Sequence, residues 1–167
     1  MHDELTQKDL QMMKEELDYR RIQLRPQLLE AVKEARAFGD LSENFEYKAA
    51  KQEKNRNEGR IRYLENMIRT ARVLKEEGPA DGVGLYDKVT VYLEDEDDTE
   101  TYQVVTTMRQ DALHGLISKE SPVGKALLGR KVGETVHIQV NEKFGYDAKI
   151  LSIEKGEDDG SVPLRGY

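Results

Sequence analysis

Residues 10–38 read LQMMKEELDYRRIQLRPQLLEAVKEARAF, and residues 39–50 continue GDLSENFEYKAA. In the first stretch Leu10, Met13, Leu17, Leu24, Leu28, Ala31, Ala35 and Phe38 step by threes and fours, with one gap of seven. That is the spacing of an apolar seam along one side of a coiled-coil helix. A second periodic segment, from Ser42 to Leu74, puts Tyr47, Ala50, Ile61, Leu64, Ile68 and Ala71 on one face, although Lys51 to Arg60 is almost wholly polar. Between the two, Gly39 suits the left-handed position that closes a helix, and Asp40 followed three residues later by Glu43 matches an acidic capping box that opens the next. Helices joined this tightly run antiparallel, and about 30 residues at ~1.5 Å rise make an arm of roughly 45 Å with its tip at residues 39–44. Pro26 removes one backbone hydrogen bond and crowds the preceding turn, which predicts a kink from Ile22 to Pro26 in a helix that bends without ending.

Toward the C-terminus the helical pattern stops at Lys75-Glu76-Glu77-Gly78-Pro79, and Asp81 to Gly84 reads as a linker. Beyond it Lys88–Leu93, Thr101–Thr107, Thr135–Val140 and Tyr146–Ile153 are short, β-branched, alternating runs between turn residues, the pattern of antiparallel strands. Ser121 as N-cap, Pro122 in the first turn and Gly129 as closing residue frame one short helix. The expected fold class is therefore α+β in two domains. Residues 1–77 form an antiparallel α-helical coiled-coil hairpin, 78–84 a linker, and 85–155 a small antiparallel sheet domain with a short helix. The acidic, aperiodic tail 156–167 is expected to be disordered.

Charged residues make up 35% of the 167, against roughly 25% in ordinary globular domains, so surface is large relative to core. The net charge of −7 argues against a general nucleic-acid binder, but it is unevenly spread. Residues 1–75 carry 16 Lys/Arg and 14 Asp/Glu, a net of +2, whereas residues 76–167 carry 10 and 19, a net of −9. The two halves face different partners. With no cysteine there is no disulfide and no thiolate metal site, and His2, His114 and His137 lack metal-ligand spacing. No apolar run approaches the roughly 20 residues of a membrane span, and the N-terminus lacks a signal-peptide hydrophobic region, so a cytoplasmic protein with no membrane partner is expected.

Two stretches carry a resemblance. Gly39-Asp40-Leu41-Ser42-Glu43-Asn44-Phe45-Glu46-Tyr47, then Ala49-Ala50 and Glu58-Gly59-Arg60-Ile61, resembles the tip-and-second-helix signature of the Gre transcript-cleavage factors. Ile117-Ser118-Lys119-Glu120-Ser121-Pro122-Val123-Gly124-Lys125-Ala126-Leu127-Leu128-Gly129 resembles the signature of that family's C-terminal domain. The resemblance covers nearly the whole chain and implies that the sheet domain is FKBP-like. It implies bacterial RNA polymerase as partner, with the sheet domain docking at the rim of the secondary channel and the arm passing inward. By motif match Asp40 and Glu43 are the tip carboxylates that help hold a catalytic Mg²⁺ of the polymerase; no cofactor is tightly bound by the chain itself. Arg36 and Lys51 match the basic positions that meet the nascent RNA 3′ end, and Lys48 and Lys54 extend that patch. Ser118, Ser121 and Pro122 lie in the stretch implied to dock. The chain is then a monomeric stimulator of RNA hydrolysis by the polymerase, and no enzyme on its own. It departs from its relatives at Lys54 to Asn57, at Thr106 to Asp111 and in its extended acidic tail.

Plainer readings stand beside these. On spacing alone Asp40 and Glu43 are helix caps, worth roughly 0.3–1 kcal/mol at the positive end of a helix. Lys48, Lys51, Lys54, Arg56, Arg60 and Arg62, interspersed with Glu53 and Glu58, form an ordinary solvated face unless the polar gap serves RNA. Two carboxylates on a solvated tip cannot by themselves complete the octahedral oxygen shell that Mg²⁺ demands, so the polymerase must supply the rest. His114 and His137 read as strand or loop residues, and Tyr86, Tyr92, Tyr102, Phe144 and Tyr146 as core. The rival functions are a non-cleaving regulator that blocks the channel and, because a fold does not fix a function, an FKBP-like peptidyl-prolyl isomerase or chaperone.

Overall fold

The computed structural model describes residues 3–39, 44–75 and 78–166. Helix α1 (Gln7–Tyr19) runs into a π-helical turn at Arg20–Leu24 and on into α2 (Arg25–Arg36). The wider turn stands immediately before Pro26, where the proline cannot supply the ordinary backbone donor. The helix thus continues past the proline as expected. Helix α3 spans Phe45–Thr70. Pairs across the two arms run in opposite directions: Ala35 with Asn44, Arg36 with Tyr47, Arg25 with Glu58 and Glu16 with Arg60. No described helix is long and apolar enough to cross a membrane.

The seam differs from the expected one at several positions. Leu10, Met13, Leu17 and Ala35 are buried, but in α2 the other buried residue is Val32 in place of Ala31, which is exposed, and Phe38 is 76% exposed. In α3 the face turned to its partner runs through Tyr47, Ala50, Lys54, Asn57, Ile61 and Leu64, a strict alternation of steps of three and four. Asn57, only 3% exposed, therefore occupies a seam position. The helix begins four residues later than the Asp40–Glu43 capping box predicts. Its N-cap is Asn44, whose side chain accepts from the Tyr47 N–H, while Asp40 and Glu43 lie outside the described residues. Gly39 has φ +119°, a conformation that disfavours any residue with a β-carbon.

The chain divides into two compact units, residues 10–71 and residues 3–9 with 72–166. The first nine residues were expected in the hairpin. Those described belong to the sheet unit, because strand β1 (Glu4–Leu5) pairs in parallel with β2 (Arg72–Val73) and Leu5, Thr6 and Asp9 are buried. The main sheet contains β3 (Lys88–Leu93), β4 (Asp98–Val105), β5 (Leu116–Ser118), β6 (Thr135–Gln139) and β7 (Gly145–Glu154) in the order β5-β4-β3-β7-β6. All neighbours are antiparallel except β4 and β5, so the sheet is mixed, not purely antiparallel. Strand β5 is too short for its alternation to show in sequence, and it is held by pairing with Gln103 to Val105. Helix α4 (Pro122–Leu127) has Ser121 as its N-cap, as expected.

Val83, Val89, Val91, Leu93, Val104, Ile117, Leu127, Val136, Ile138, Ala148 and Ile150 form the core of the sheet unit. Val83 places the expected linker inside this unit. Its N–H donates to the Arg130 carbonyl, its carbonyl accepts from Gly129 N–H, and its side chain is fully buried. The tail is also held, in place of the expected disorder. Asp158 forms two hydrogen bonds of 2.8 Å with the Arg109 guanidinium, whose Nε donates to the Val162 carbonyl at 2.7 Å. Arg109 also donates to Asp9 at 3.0 Å, and Thr106 donates its hydroxyl to the same carboxylate at 2.7 Å. Two of the three stretches read as departures from the resemblance, residues 106–111 and the tail, are thus partners.

Candidate functional site at the closed end of the hairpin

The residues that flank segment 40–43 are built from both arms. Asn44 makes the bridge. Its Nδ2 donates to the carbonyl of Ala35 at 2.7 Å, and its Oδ1 accepts from the Tyr47 N–H at 3.0 Å. One side chain thereby adds a donor to a carbonyl in the last turn of α2, which the Phe38 N–H also meets at 3.3 Å, and satisfies an orphan donor at the start of α3. It sets the spacing of the two chain ends from which Asp40 and Glu43 are carried. The sequence contained the signal, an Asn directly before a helical pattern, but Asp40 and Glu43 offered a competing cap.

Beside this bridge stand the basic residues. The Arg36 guanidinium lies 5.5 Å above the Tyr47 ring, and its Nη2 donates to the tyrosine hydroxyl at 3.5 Å. The Lys48 ammonium lies 5.7 Å from the ring of Phe45, itself largely exposed. The hydrogen bond from Arg36 lowers the Tyr47 pKa from its ordinary range against the opposing effect of desolvation, and the positive charges of Lys51 and Lys54 lower it further. Arg36, Lys51 and Lys54 therefore converge electrostatically on one hydroxyl. Among the described residues none of Arg36, Lys48, Lys51 and Lys54 forms an ion pair. Arg36, Lys48 and Lys51 are exposed and Lys54 is half-buried.

Farther from the tip the polar stretch behaves differently. Arg60 is buried and donates to Glu16 through Nε at 2.7 Å and Nη2 at 3.2 Å, and Arg20 meets the same carboxylate at 2.8 Å. Arg20 also donates to Asn57 Oδ1 at 2.9 Å; Arg25 and Glu58 are joined by two hydrogen bonds, and Arg21 pairs with Glu65. Burial opposes the ionisation of Glu16, but hydrogen bonds from Arg60 and Arg20 outweigh it and hold the carboxyl below its usual range. The polar gap is accordingly two things: an interhelical ion-pair network over Asn57 to Glu65, and a basic collar over Arg36 to Lys54. Reading Arg60 as part of an RNA-facing surface is incorrect, because its charge is spent inside the hairpin.

The positions in the C-terminal signature have folding roles. Ser118, 3% exposed, accepts from Glu120 N–H, and the Ser121 hydroxyl donates to the Ser118 carbonyl at 2.6 Å while accepting from Gly124 N–H at 3.0 Å. A β-carbon on Gly124 would collide with that same carbonyl oxygen, so only glycine fits. Pro122 is exposed. His114 and His137 lie on the surface, hydrogen-bonded to Asp111 and Asp147. No group of three or more metal-ligating side chains occurs among the described residues.

A helical hairpin with a basic collar at its closed end, carried in one chain with a small mixed-sheet unit, defines a two-domain coiled-coil factor. Residues 4–73 match the N-terminal domain of a transcription elongation factor family, and residues 78–155 match the C-terminal domain described as transcription elongation factor, GreA/GreB. The chain is 43% identical over 152 residues to transcription elongation factor GreA of Thermoanaerobacter pseudethanolicus, covering 90% of this chain and 96% of that protein. It is 42% identical over 135 residues to transcription elongation factor GreA of Bacillus subtilis, covering 81% and 86%. A solved structure of the transcription factor Gfh1 is 28% identical, with a TM-score of 0.45, over 92% of this chain and 97% of that one. The chain belongs to the GreA/GreB family of transcription elongation factors.

Proposed function

We propose that this chain binds bacterial RNA polymerase, inserts its hairpin into the secondary channel and stimulates the polymerase's own cleavage of backtracked RNA. The observation that supports this most directly is the basic collar, free of ion pairs among the described residues, on the turns that flank Asp40 and Glu43. Cations that meet no carboxylate among the described residues beside a helical tip favour a polyanion, and an RNA 3′ end is such a ligand. Asp40 and Glu43 suit Mg²⁺ by donor chemistry, since carboxylate oxygens are its preferred ligands and two of them leave most of the octahedron to other groups. A metal at this tip, shared with the polymerase, supplies charge stabilisation for the attacking and leaving oxygens of a phosphodiester. The chain's own residues hold the 3′ end through Arg36, Lys48, Lys51 and Lys54 and keep the tip ends in register through Asn44. Under this reading the chain is no enzyme alone, acts in the cytoplasm as a monomer, and docks through the sheet unit, with the exposed Pro122 at the surface of the docking stretch.

The test is to add the purified chain to a stalled polymerase complex and look for 3′ RNA fragments. The Asp40→Asn, Glu43→Gln double variant, added in parallel, should compete for the polymerase as the parent does while cleavage falls at least about tenfold, equal to some 1.4 kcal/mol of barrier. Inhibition without fragments from the parent chain would support the channel-blocking reading instead.

A further inference from the structure

The sheet unit carries a second surface that the transcript-cleavage reading does not use. Cross-strand pairs place Tyr102 opposite Val89, Glu100 opposite Val91 and Tyr146 opposite Ile138, so these three side chains stand on the same face of the sheet as the core. Helix α4 closes that core at Leu127, but no α4 residue reaches the end formed by the β3–β4 and β6–β7 turns. There the inner face opens into a groove of about 410 Å³. Leu93, Tyr102, Phe144 and Tyr146 supply its apolar surface, with the Phe144 and Tyr146 rings 6.0 Å apart and Phe144 55% exposed. Asp95, Glu96, Glu100 and Asp147 form its rim.

The chemistry of the groove selects its occupant. Asp95, Glu96 and Glu100 form no ion pair among the described residues, and Asp147 meets only His137. Glu96 and Glu100 line the groove with Tyr102, and burial first, then Tyr146 and these two carboxylates, push the Tyr102 hydroxyl up to about 12. A nucleic acid or any other anion is repelled here. A metal ion finds no converging set of three ligands among the described residues. An organic cation on an apolar stem fits both parts: the stem lies on the rings, and the charge meets aromatic faces and unpaired carboxylates.

We propose that this groove is a docking site for a peptide segment of a partner protein that presents arginine or lysine between apolar residues. The site is distinct from the hairpin tip, and its occupancy requires neither RNA nor Mg²⁺.

The isotope-labelled full chain should be titrated with a blocked hexapeptide of alternating arginine and leucine, with a glutamate–leucine hexapeptide and an alanine–proline peptide as comparisons. The expected result is saturable amide shifts confined to residues 93–102 and 144–147 for the arginine peptide alone. Combining Phe144→Ala with Glu100→Gln, both at exposed positions, should weaken binding about tenfold. Phe144→Leu, which keeps an apolar side chain but removes the aromatic face, should weaken it about threefold. Shifts that do not saturate, that spread equally over the acidic tail, or that survive both variants would overturn the proposal. So would equal occupancy by the proline peptide, which would make the groove a proline site.

Discussion

The side-chain amide of Asn44 donates to the backbone carbonyl of Ala35 at 2.7 Å, joining the last turn of one hairpin arm to the first residue of the other. The same residue caps α3 by accepting from Tyr47 N–H. Replacing it with Ala removes both bonds and should cost about 1 kcal/mol of hairpin stability, read from thermal melting. Asn44→Asp keeps the cap but loses the donor to Ala35. It should melt close to the parent yet stimulate cleavage less, because the chain ends on either side of Asp40 and Glu43 are no longer tied. Equal cleavage by the parent and Asn44→Asp would show that the bridge is dispensable for activity.

Arg36 and Lys51 should be separable from folding, since both are exposed and outside the ion-pair network. Changing both to Ala is expected to alter stability by no more than about 0.5 kcal/mol. Crosslinking of the hairpin to RNA should fall and its logarithmic salt dependence should flatten by about 0.7 for each lost phosphate contact. The Tyr47 hydroxyl, now held low by its hydrogen bond from Arg36, should titrate closer to its ordinary value. A Tyr47 titration that does not move would contradict the arrangement.

Glu16 joins Arg20 and Arg60 across the two arms, and Arg60 is buried. Glu16→Gln removes the carboxylate charge that the buried Arg60 guanidinium meets and should destabilise the hairpin by roughly 2–3 kcal/mol. Replacing Glu16 and Arg60 together with Leu should recover most of that loss, because two apolar groups in the seam avoid the desolvation of either charge. Denaturant melts of Glu16→Leu, Arg60→Leu and the double Leu variant measure the coupling. Additive losses would show that the pair does not act as a unit.

The tail should be released by acid. Burial raises the Asp158 pKa, but hydrogen bonds from Arg109 and Gly160 N–H and the Arg109 charge lower it further, so the folded value lies below the ordinary 3.8. A carboxyl depressed in the folded state contributes stability that is fully present above its unfolded pKa and is lost as pH falls through the folded value. Proteolysis within residues 156–166 should therefore be slow near neutrality and accelerate as pH falls below 3.8 toward the folded value, when followed with an acid-active protease. Asp158→Asn should show rapid cleavage at neutral pH. Protection that is unchanged in that variant would remove Asp158 from the anchoring contact.

The helices, the continuation of the first past Pro26, the Ser121 cap and the apolar strands could all be read from sequence. Each rests on residues within a few positions of one another, where periodicity and capping act. Segment 40–43 illustrates the limit of that reading. Asp40 and Glu43 satisfied a local capping pattern, yet the cap of α3 is Asn44, chosen because its amide also finds the Ala35 carbonyl across the turn. The polar run from Lys51 to Arg60 looked uniform in one dimension. Only the opposing arm divides it into Asn57, Glu58 and Arg60, which meet Arg20, Arg25 and Glu16, and Lys51 and Lys54, which meet no carboxylate in an ion pair among the described residues. The tail was likewise unreadable from composition, because Asp158 is ordered by Arg109, 49 positions away, and that arginine is buried by contacts that include Asp9, 100 positions from it. Local patterns determine which elements form. Where charges are paired, and therefore which remain available for a ligand, is decided by residues that only the folded chain brings within hydrogen-bonding distance.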